Sequence, residues 1–224
     1  MQRWTLRQAL ARAIEIGHDD GPKRLWFKIL GETVYCRLLV VEDVLERPLP
    51  TLEFIPGIEI RPIRENEIGE YVSLRSEQNA GEIANRLSRG HRCWVTRWQG
   101  RIVAAFWGVC QRAFIEALDR EFSLASDEIY TYDAFTDPNY RGLHLPAAGA
   151  RVRRPIMLAE GFRRCLAVLE PENEATLRQS RRAGYNLIGT VGYFGIGRWR
   201  RYFVRPVCDD SKIPSLVTAT RTIE

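Results

Sequence analysis

Residues Phe135 to Gly149 read FTDPNYRGLHLPAAG, and this stretch carries most of the information about the fold. Residues 129–135 before the turn are rich in aromatic and β-branched side chains, which predicts a strand. Pro138 ends that strand, and Pro146 suits the first turn of a helix, where a missing N–H costs nothing. A strand, a short turn and a helix start present free backbone N–H groups and the positive end of the helix dipole to an anion. The stretch therefore predicts an anion-binding turn.

A second informative stretch, LEPENEATLRQSRRAGY, spans Leu169 to Tyr185. Its first residues continue a short apolar strand, and Asn173 is a good N-cap for the helix that follows. Gly184 suits the left-handed residue that ends such a helix. The two positions lie eleven residues apart, and the stretch predicts a strand, a capped helix and a glycine stop.

The two stretches resemble the motifs of the GNAT superfamily of acyl-CoA N-acyltransferases. In that family a central strand leads into Pro-x-Tyr-Arg-Gly-x-Gly-x-Gly/Ala and a long helix. Pro138, Tyr140, Arg141 and Gly142 match this pattern, whereas His144 and Pro146 replace the two later glycines. The family's asparagine, helix and Gly-aromatic ending match the second stretch at the same interval. The resemblance covers about residues 58–205.

The resemblance implies an α+β fold with a central mixed, mostly antiparallel sheet flanked by helices. It also implies an acyl-CoA co-substrate, acetyl-CoA by default, and direct attack of an amine acceptor on the thioester. A backbone N–H of the splayed central strand would polarise the carbonyl oxygen. The residues implied to bind the cofactor are Phe135, Thr136, Arg141, Gly142, Leu143, His144, Leu145, Ala147, Asn173 and Thr176.

Catalysis by direct transfer requires removal of one proton from the amine and protonation of the leaving thiolate. Glu128 and Asp133 on the central strand and Glu172 beside the next strand are the candidate bases, and strand register decides which of them faces the cleft. Many relatives carry a tyrosine seven residues after the asparagine. This sequence has Ser180 there, a weaker acid, so water or Tyr185 is the alternative proton donor.

Composition is that of a globular protein, with 45% apolar and 27% charged residues among 224. No window is apolar enough to span a bilayer and the start lacks a signal-peptide core, so a cytoplasmic location is expected. Five cysteines without a C-x-x-C pair predict neither a disulfide framework nor a metal site.

Between residues 139 and 205 there are thirteen arginines and four glutamates, and this excess of positive charge attracts phosphate groups.

Organisation along the chain predicts an N-terminal extension over residues 1–57, a main domain over 58–205 and a tail over 206–224. Thr5–Ile16 has the spacing of an amphipathic helix, Lys23–Leu30 continues with aromatic and basic residues, and dense prolines before Gly57 indicate a boundary. Strands are predicted at 33–41, 58–63, 92–98, 101–109, 129–135 and 165–169, and two more within 185–203. Two helices are predicted within 64–89, and further helices at 147–160 and 174–183. Pro155 is expected to kink the helix at 147–160.

Three alternatives stay open on the sequence. The donor could carry a long acyl chain or be an acidic acyl-carrier protein, for which the basic surface is suited. A non-catalytic, membrane-peripheral module using residues 1–30 is a second alternative. Nucleic-acid binding ranks third, because no reading motif accompanies the charge. A homodimer is compatible with the sequence.

Overall fold

A computed structural model describes residues 34–218, apart from 49–55, 76, 142, 144, 197 and 198. The predicted helices at Thr5–Ile16 and Lys23–Leu30 lie outside these residues. The strands are β1 (Tyr35–Val44), β2 (Glu59–Pro62), β3 (Arg92–Trp98), β4 (Arg101–Val109), β5 (Arg112–Ile115), β6 (Arg120–Ser123), β7 (Glu128–Thr136), β8 (Arg164–Leu169), β9 (Asn186–Ile196), β10 (Trp199–Pro206) and β11 (Ser215–Thr218). The α-helices are α1 (Ile68–Leu74), α2 (Ala80–Ser88), α3 (Leu145–Ala159) and α4 (Glu174–Arg182).

Eight strands form one twisted sheet in the order β10-β9-β1-β8-β7-β4-β3-β2. Neighbouring strands are antiparallel except for β7 and β8, which run parallel. The parallel pair is joined by α3, since parallel neighbours need a crossover connection. The predicted α+β fold with a mixed, mostly antiparallel sheet is confirmed.

The position of β1 differs from the sequence-based domain boundaries. Residues 1–57 were expected to form an extension, yet β1 lies inside the main sheet and pairs with β8 on one side and β9 on the other. The expected boundary near residue 57 therefore does not separate β1 from the main sheet. At the other end, β11 of the expected tail pairs with β6 in a separate three-stranded sheet, β11-β6-β5.

Helices α1 and α2 cover one face of the sheet, called here the front face. Tyr71 and Ile83 of these helices are fully buried against Val95, Ala105 and Trp107. Asn79 begins α2 with a capping box, because its side chain accepts from the backbone N–H of Glu82. The small β11-β6-β5 sheet covers the front face further along, where Phe122 packs with Val40 and Val191. This small sheet was missed from the sequence.

Helices α3 and α4 cover the centre of the opposite, back face. Met157 of α3 packs with Trp94, Ile129 and Cys165 in one buried cluster. Helix α3 continues through Pro155 without interruption. None of the described helices is long and apolar enough to cross a membrane.

A buried ion-pair group ties β1 to α3 on the back face. The Asp43 carboxylate is completely buried, and its Oδ2 accepts from Nη2 of Arg153 at 2.7 Å. The guanidinium of Arg154 also binds Asp43 and donates to the backbone carbonyl of Arg47. The Arg153 guanidinium lies over the rings of Phe106 and Tyr185, at 5.7 and 5.4 Å from their centroids. These contacts fix the inserted strand to the helix.

Candidate active site

A gap opens in the middle of the main sheet between β7 and β8. The two strands pair only over Glu128–Tyr130 and Arg164–Leu166. Beyond Leu166, β8 continues to Leu169 and β7 continues to Thr136 without pairing to each other. The paired end is called here the closed end and the unpaired end the open end. Backbone groups of both strands therefore face the gap at its open end.

The gap lies next to a bulge in β7. The register between β4 and β7 shifts between Ala105 and Trp107, which pair with Phe135 and Tyr132 respectively. Asp133 inside the bulge has φ 49°, a left-handed conformation that only a few per cent of non-glycine residues adopt. A bulge redirects the side chains around it and interrupts the ladder. Here it turns the second half of β7 away from β8.

Two hydroxyl groups close the apex of the gap. The Thr131 hydroxyl donates to the carbonyl of Leu166 at 3.1 Å, at the last paired residue of β8. The Tyr185 hydroxyl lies 3.1 Å from the same Thr131 oxygen. Because the Thr131 proton is donated to the Leu166 carbonyl, the Tyr185 hydroxyl is the donor and the Thr131 oxygen the acceptor. Burial raises the pKa of Tyr185 to about 12, which the nearby Arg153 charge only partly offsets. Tyr185 is therefore a protonated phenol at neutral pH.

On the front face, Asp133 is held by three donors from the α1 and α2 region. Its Oδ1 accepts from Arg75 at 2.7 Å, and its Oδ2 accepts from Arg86 at 2.6 Å and from Gln78 at 2.9 Å. Burial tends to raise the pKa of Asp133, but the hydrogen bonds from Arg86 and Arg75 outweigh it and lower the pKa. A carboxylate so fully engaged is a poor proton acceptor. Asp133 instead fixes α1 and α2 to the bulge.

A second polar pair on the front face was not singled out from the sequence. Nδ1 of His91 lies 2.5 Å from the hydroxyl of Tyr132. Tyr132 packs against both front-face clusters, the one under α1 and α2 and the one under the small sheet. Burial, helped by Arg86 and Arg89, lowers the pKa of His91, and burial raises the pKa of Tyr132 to about 12. Both groups are neutral at pH 7, and they mark the boundary between the two front-face layers.

The other two candidate bases lie at opposite ends of the gap. Glu128 begins β7 at the closed end, where it is buried, ion-paired with Arg164 and bound to the N–H of Ala125 at 2.9 Å. Its position and partners argue against a role in proton transfer. Glu172 follows β8 at the open end and is half-buried. Within the described part of the chain, the Glu172 carboxylate has no ion-pair partner.

The predicted anion-binding turn leads from the open end of the gap to α3. Asp137 caps a short 3-10 helix, Pro138–Tyr140, by accepting from the N–H of Asn139 at 2.9 Å. Arg141 follows in an extended conformation with an exposed side chain. Leu145 begins α3 and is buried, which anchors the first residue of the helix in the interior. The strand, turn and helix order predicted from the sequence is confirmed.

Comparison with solved structures identifies the fold. A GNAT-family acetyltransferase from Colwellia psychrerythraea is 14% identical to this chain, with a TM-score of 0.52, and the match covers 78% of this chain and 61% of that one. The chain therefore has the GNAT fold. No family model matches the sequence, and no curated protein matches it significantly.

Two further solved structures match less well. A GNAT-family acetyltransferase from Novosphingobium aromaticivorans is 19% identical, with a TM-score of 0.48, and the match covers 70% of this chain and 62% of that one. An aminoglycoside 6'-N-acetyltransferase from Acinetobacter baumannii is 12% identical, with a TM-score of 0.44, covering 58% of this chain and 91% of that one. The chain thus spans about three fifths of the length of the two GNAT-family structures.

The second GNAT motif has the local structure expected for it. Asn173 caps α4, because its Oδ1 accepts from the N–H of Thr176 at 3.1 Å. Gly184 ends the helix with φ 93°, a conformation that glycine adopts without a steric penalty. Ser180 lies on α4 and is half-buried, and its carbonyl accepts from the N–H of Tyr185 at 3.0 Å. Both predicted helix-end residues are confirmed in these structural roles.

Some of the residues implied to bind the cofactor lie together at the open end of the gap. Phe135 and Thr136 on β7 and Asn173 and Thr176 at the start of α4 lie on the two sides of the open end. Leu143 is exposed at the turn. Gly142, His144 and the side chain of Ala147 fall outside the described set. Among the described residues, no group of three potential metal ligands is found.

Proposed function

We propose that this protein transfers an acyl group from a CoA thioester to an amine acceptor at the open end of the gap between β7 and β8. The observation that carries the proposal is the early end of the β7–β8 pairing at Tyr130 and Leu166, directly beside the bulge at Asp133. Strand backbone released in this way can hold an extended pantetheine arm by hydrogen bonds and can polarise a thioester carbonyl.

The turn before α3 supports a phosphate-binding role on the same side of the gap. In the first turn of this 15-residue helix, the N–H groups other than the missing one of Pro146 have no partner within the helix and can bind an anion, and the exposed Arg141 lies four residues before the helix start. An arginine can bind a pyrophosphate through two parallel hydrogen bonds. The donor is accordingly a CoA thioester, with acetyl as the default acyl group.

Among the three candidate carboxylates, Glu172 best fits the role of general base. It lies at the open end, while Glu128 is ion-paired at the closed end and Asp133 is bound by three donors. Proton removal by Glu172, directly or through one water, would generate the neutral amine that attacks the thioester. The thiolate leaves and takes a proton from water, Ser180 or Tyr185.

Calorimetric titration with acetyl-CoA, free CoA and a long-chain acyl-CoA tests the donor site, since the three share their phosphates and differ only at the reacting end. Arg141→Glu is expected to weaken binding of all three roughly tenfold to a hundredfold, because it places an anion beside the pyrophosphate. Arg163→Glu is the matched control, as Arg163 is an exposed arginine at the closed end. No binding by the wild type, or equal affinity in both variants, would remove the donor site.

Steady-state acyl transfer to a panel of amines tests the base. Glu172→Gln is expected to lower kcat/KM by roughly a hundredfold or more while leaving CoA affinity unchanged. The acidic limb of the pH profile should disappear in the variant if the carboxylate accepts the proton. A profile with an unaltered acidic limb would assign proton removal to another group.

A further inference from the structure

Part of the back face of the sheet is left uncovered by the described helices. The buried cluster under α3 and α4 includes residues of β3, β7, β8 and the end of β1, but none from β9 or β10. On the uncovered part, Phe194 keeps 48% of its surface exposed. Strand alternation and register place six residues of β1, β9 and β10 on it, named here the aromatic-arginine face: Tyr35, Arg37, Phe194, Arg201, Phe203 and Arg205.

The aromatic rings of this face form one contact group. Tyr35 and Phe194 have ring centroids 4.7 Å apart, and Phe194 and Phe203 have centroids 5.2 Å apart. The Phe203 ring lies directly on Gly192, where an added Cβ would come within 2.6 Å of it. A glycine at this position therefore allows the ring to lie flat on the sheet. The result is an aromatic surface that lies close to the backbone of the sheet.

Three arginines surround the rings, and no acidic side chain shares the face on these strands. Arg37, Arg201 and Arg205 are exposed, and the Arg205 guanidinium lies over the Phe203 ring, 5.0 Å from its centroid. Among the residues that the structure describes, none of the three forms an ion pair. Trp199 follows the β9–β10 turn on the same alternation and is 80% exposed.

The positive charge of the aromatic-arginine face indicates which kind of partner it binds. Residues 1–33 contain six basic and four acidic residues, so electrostatics do not favour this segment on a face that carries three arginines. Guanidinium groups bind phosphates, exposed tryptophan side chains favour the headgroup region of a bilayer, and phenylalanine side chains insert at the boundary between headgroups and acyl chains. A flat surface that combines the two suits a planar array of phosphates better than the groove that a helix of a partner protein would need.

We propose that the aromatic-arginine face binds the surface of an anionic phospholipid membrane. The first residues of β1 extend beyond the end of β8, since Leu39 already pairs with Leu169. Tyr35 and Arg37 therefore lie at the same end of the main sheet as the open end of the gap. A membrane bound to this face would lie near the open end of the gap, but its binding does not depend on the proposed acyl transfer.

Co-sedimentation of the full-length protein with vesicles tests this inference. The probe is a mixture of about 70% phosphatidylcholine and about 30% phosphatidylglycerol, compared with pure phosphatidylcholine. The wild type is expected to bind the anionic vesicles and to lose binding at high salt. Arg37→Gln with Arg201→Gln should weaken binding about fivefold for each arginine. Arg101→Gln with Arg163→Gln removes two exposed arginines elsewhere and should change little.

Quenching by brominated lipids adds a contact-specific readout. The chain has six tryptophans, and Trp199→Phe should remove most of the quenchable fluorescence while the protein remains bound. Binding that is equal for neutral and anionic vesicles, or unchanged in the Arg37/Arg201 variant, overturns the proposal.

Two other results would also overturn it. If Arg3→Gln, Arg7→Gln and Arg12→Gln abolish vesicle binding while the Arg37/Arg201 variant keeps it, residues 1–33 make the membrane contact. If the wild type does not bind vesicles but binds an acidic acyl-carrier protein through Arg37 and Arg201, the aromatic-arginine face is a protein-binding surface.

Discussion

Asp43 and Asp133 are each held by two arginines, but on opposite faces of the sheet and with different access to water. Asp43 is completely buried beneath α3, and the side chains of its partners Arg153 and Arg154 are 10% and 7% exposed. Asp133 is 21% exposed on the front face, and its partner Arg86 is 33% exposed. The same kind of ion pair thus occurs once in the buried interior and once with partial access to solvent.

The difference assigns the two carboxylates different tasks. A buried ionic group is costly to desolvate and becomes strongly destabilising when one partner is removed. Asp43 therefore holds the inserted strand β1 against α3. Asp133 lies in the bulge beside the gap, and its partners come from the α1 and α2 region. Its hydrogen bonds hold the α1 and α2 region against the bulge.

Asp43→Asn is expected to give the largest effect, a loss of about 3–5 kcal/mol in the free energy of unfolding, because it leaves two buried guanidinium groups without a counter-charge. Urea unfolding measures it. Glu46→Gln is the matched control, since Glu46 forms an exposed pair with Arg163 at 3.0 Å and its loss should cost less than about 1 kcal/mol. Similar losses in the two variants would show that burial does not distinguish the sites.

Asp133→Asn is expected to cost about 1–3 kcal/mol of stability, because the Asp133 carboxylate and its partner Arg86 keep access to water, although Arg75 is only 11% exposed. If Asp133 positions α1 and α2 for the acceptor, kcat/KM for the amine should fall about tenfold or more while CoA affinity stays constant. The shape of the pH profile should not change, because a positioning residue does not titrate in the reaction. Loss of the acidic limb in this variant would instead identify Asp133 as the base.

A smaller effect follows from the lowered pKa of Asp133. A carboxyl group whose pKa is lower in the folded state stabilises the protein above its unfolded pKa, near 4, and loses that contribution as pH falls through the folded value. The stability difference between wild type and Asp133→Asn should therefore be constant from about pH 5 to 8 and shrink below about pH 4. A difference that stayed constant into acid would contradict the ionic role.

Most of the main sheet and both motif regions were predictable from the sequence. The strand at Arg92–Trp98, the hairpin partner Arg101–Val109 and the helix between Asn173 and Gly184 have the expected bounds or nearly so. These elements carry their signals locally, in alternation, capping residues and glycine stops. The insertion of β1 carries no such signal, because its partners β8 and β9 are fixed by tertiary packing.

The site was less predictable than the fold. A carboxylate on a strand is a plausible base until its neighbours are known, and the donors that engage Asp133 come from residues 47 to 58 positions earlier in the chain. The His91–Tyr132 contact joins the residue before β3 to a residue of β7 across 41 positions. Such pairs depend on how the helices pack on the sheet, and the spacing of residues along the chain does not determine this packing. The direction in which a bulge turns a side chain is equally invisible in one sequence.

The insertion of β1 also constrains how the chain can be made. As a ribosome synthesises the protein, β1 emerges early, yet its two partner strands follow about 120 to 160 residues later. Until then both hydrogen-bonding edges of a largely apolar strand stay unpaired, a state prone to association between nascent chains. The β1 strand can be paired on both edges only after β9 is complete, and such long-range pairing is slow.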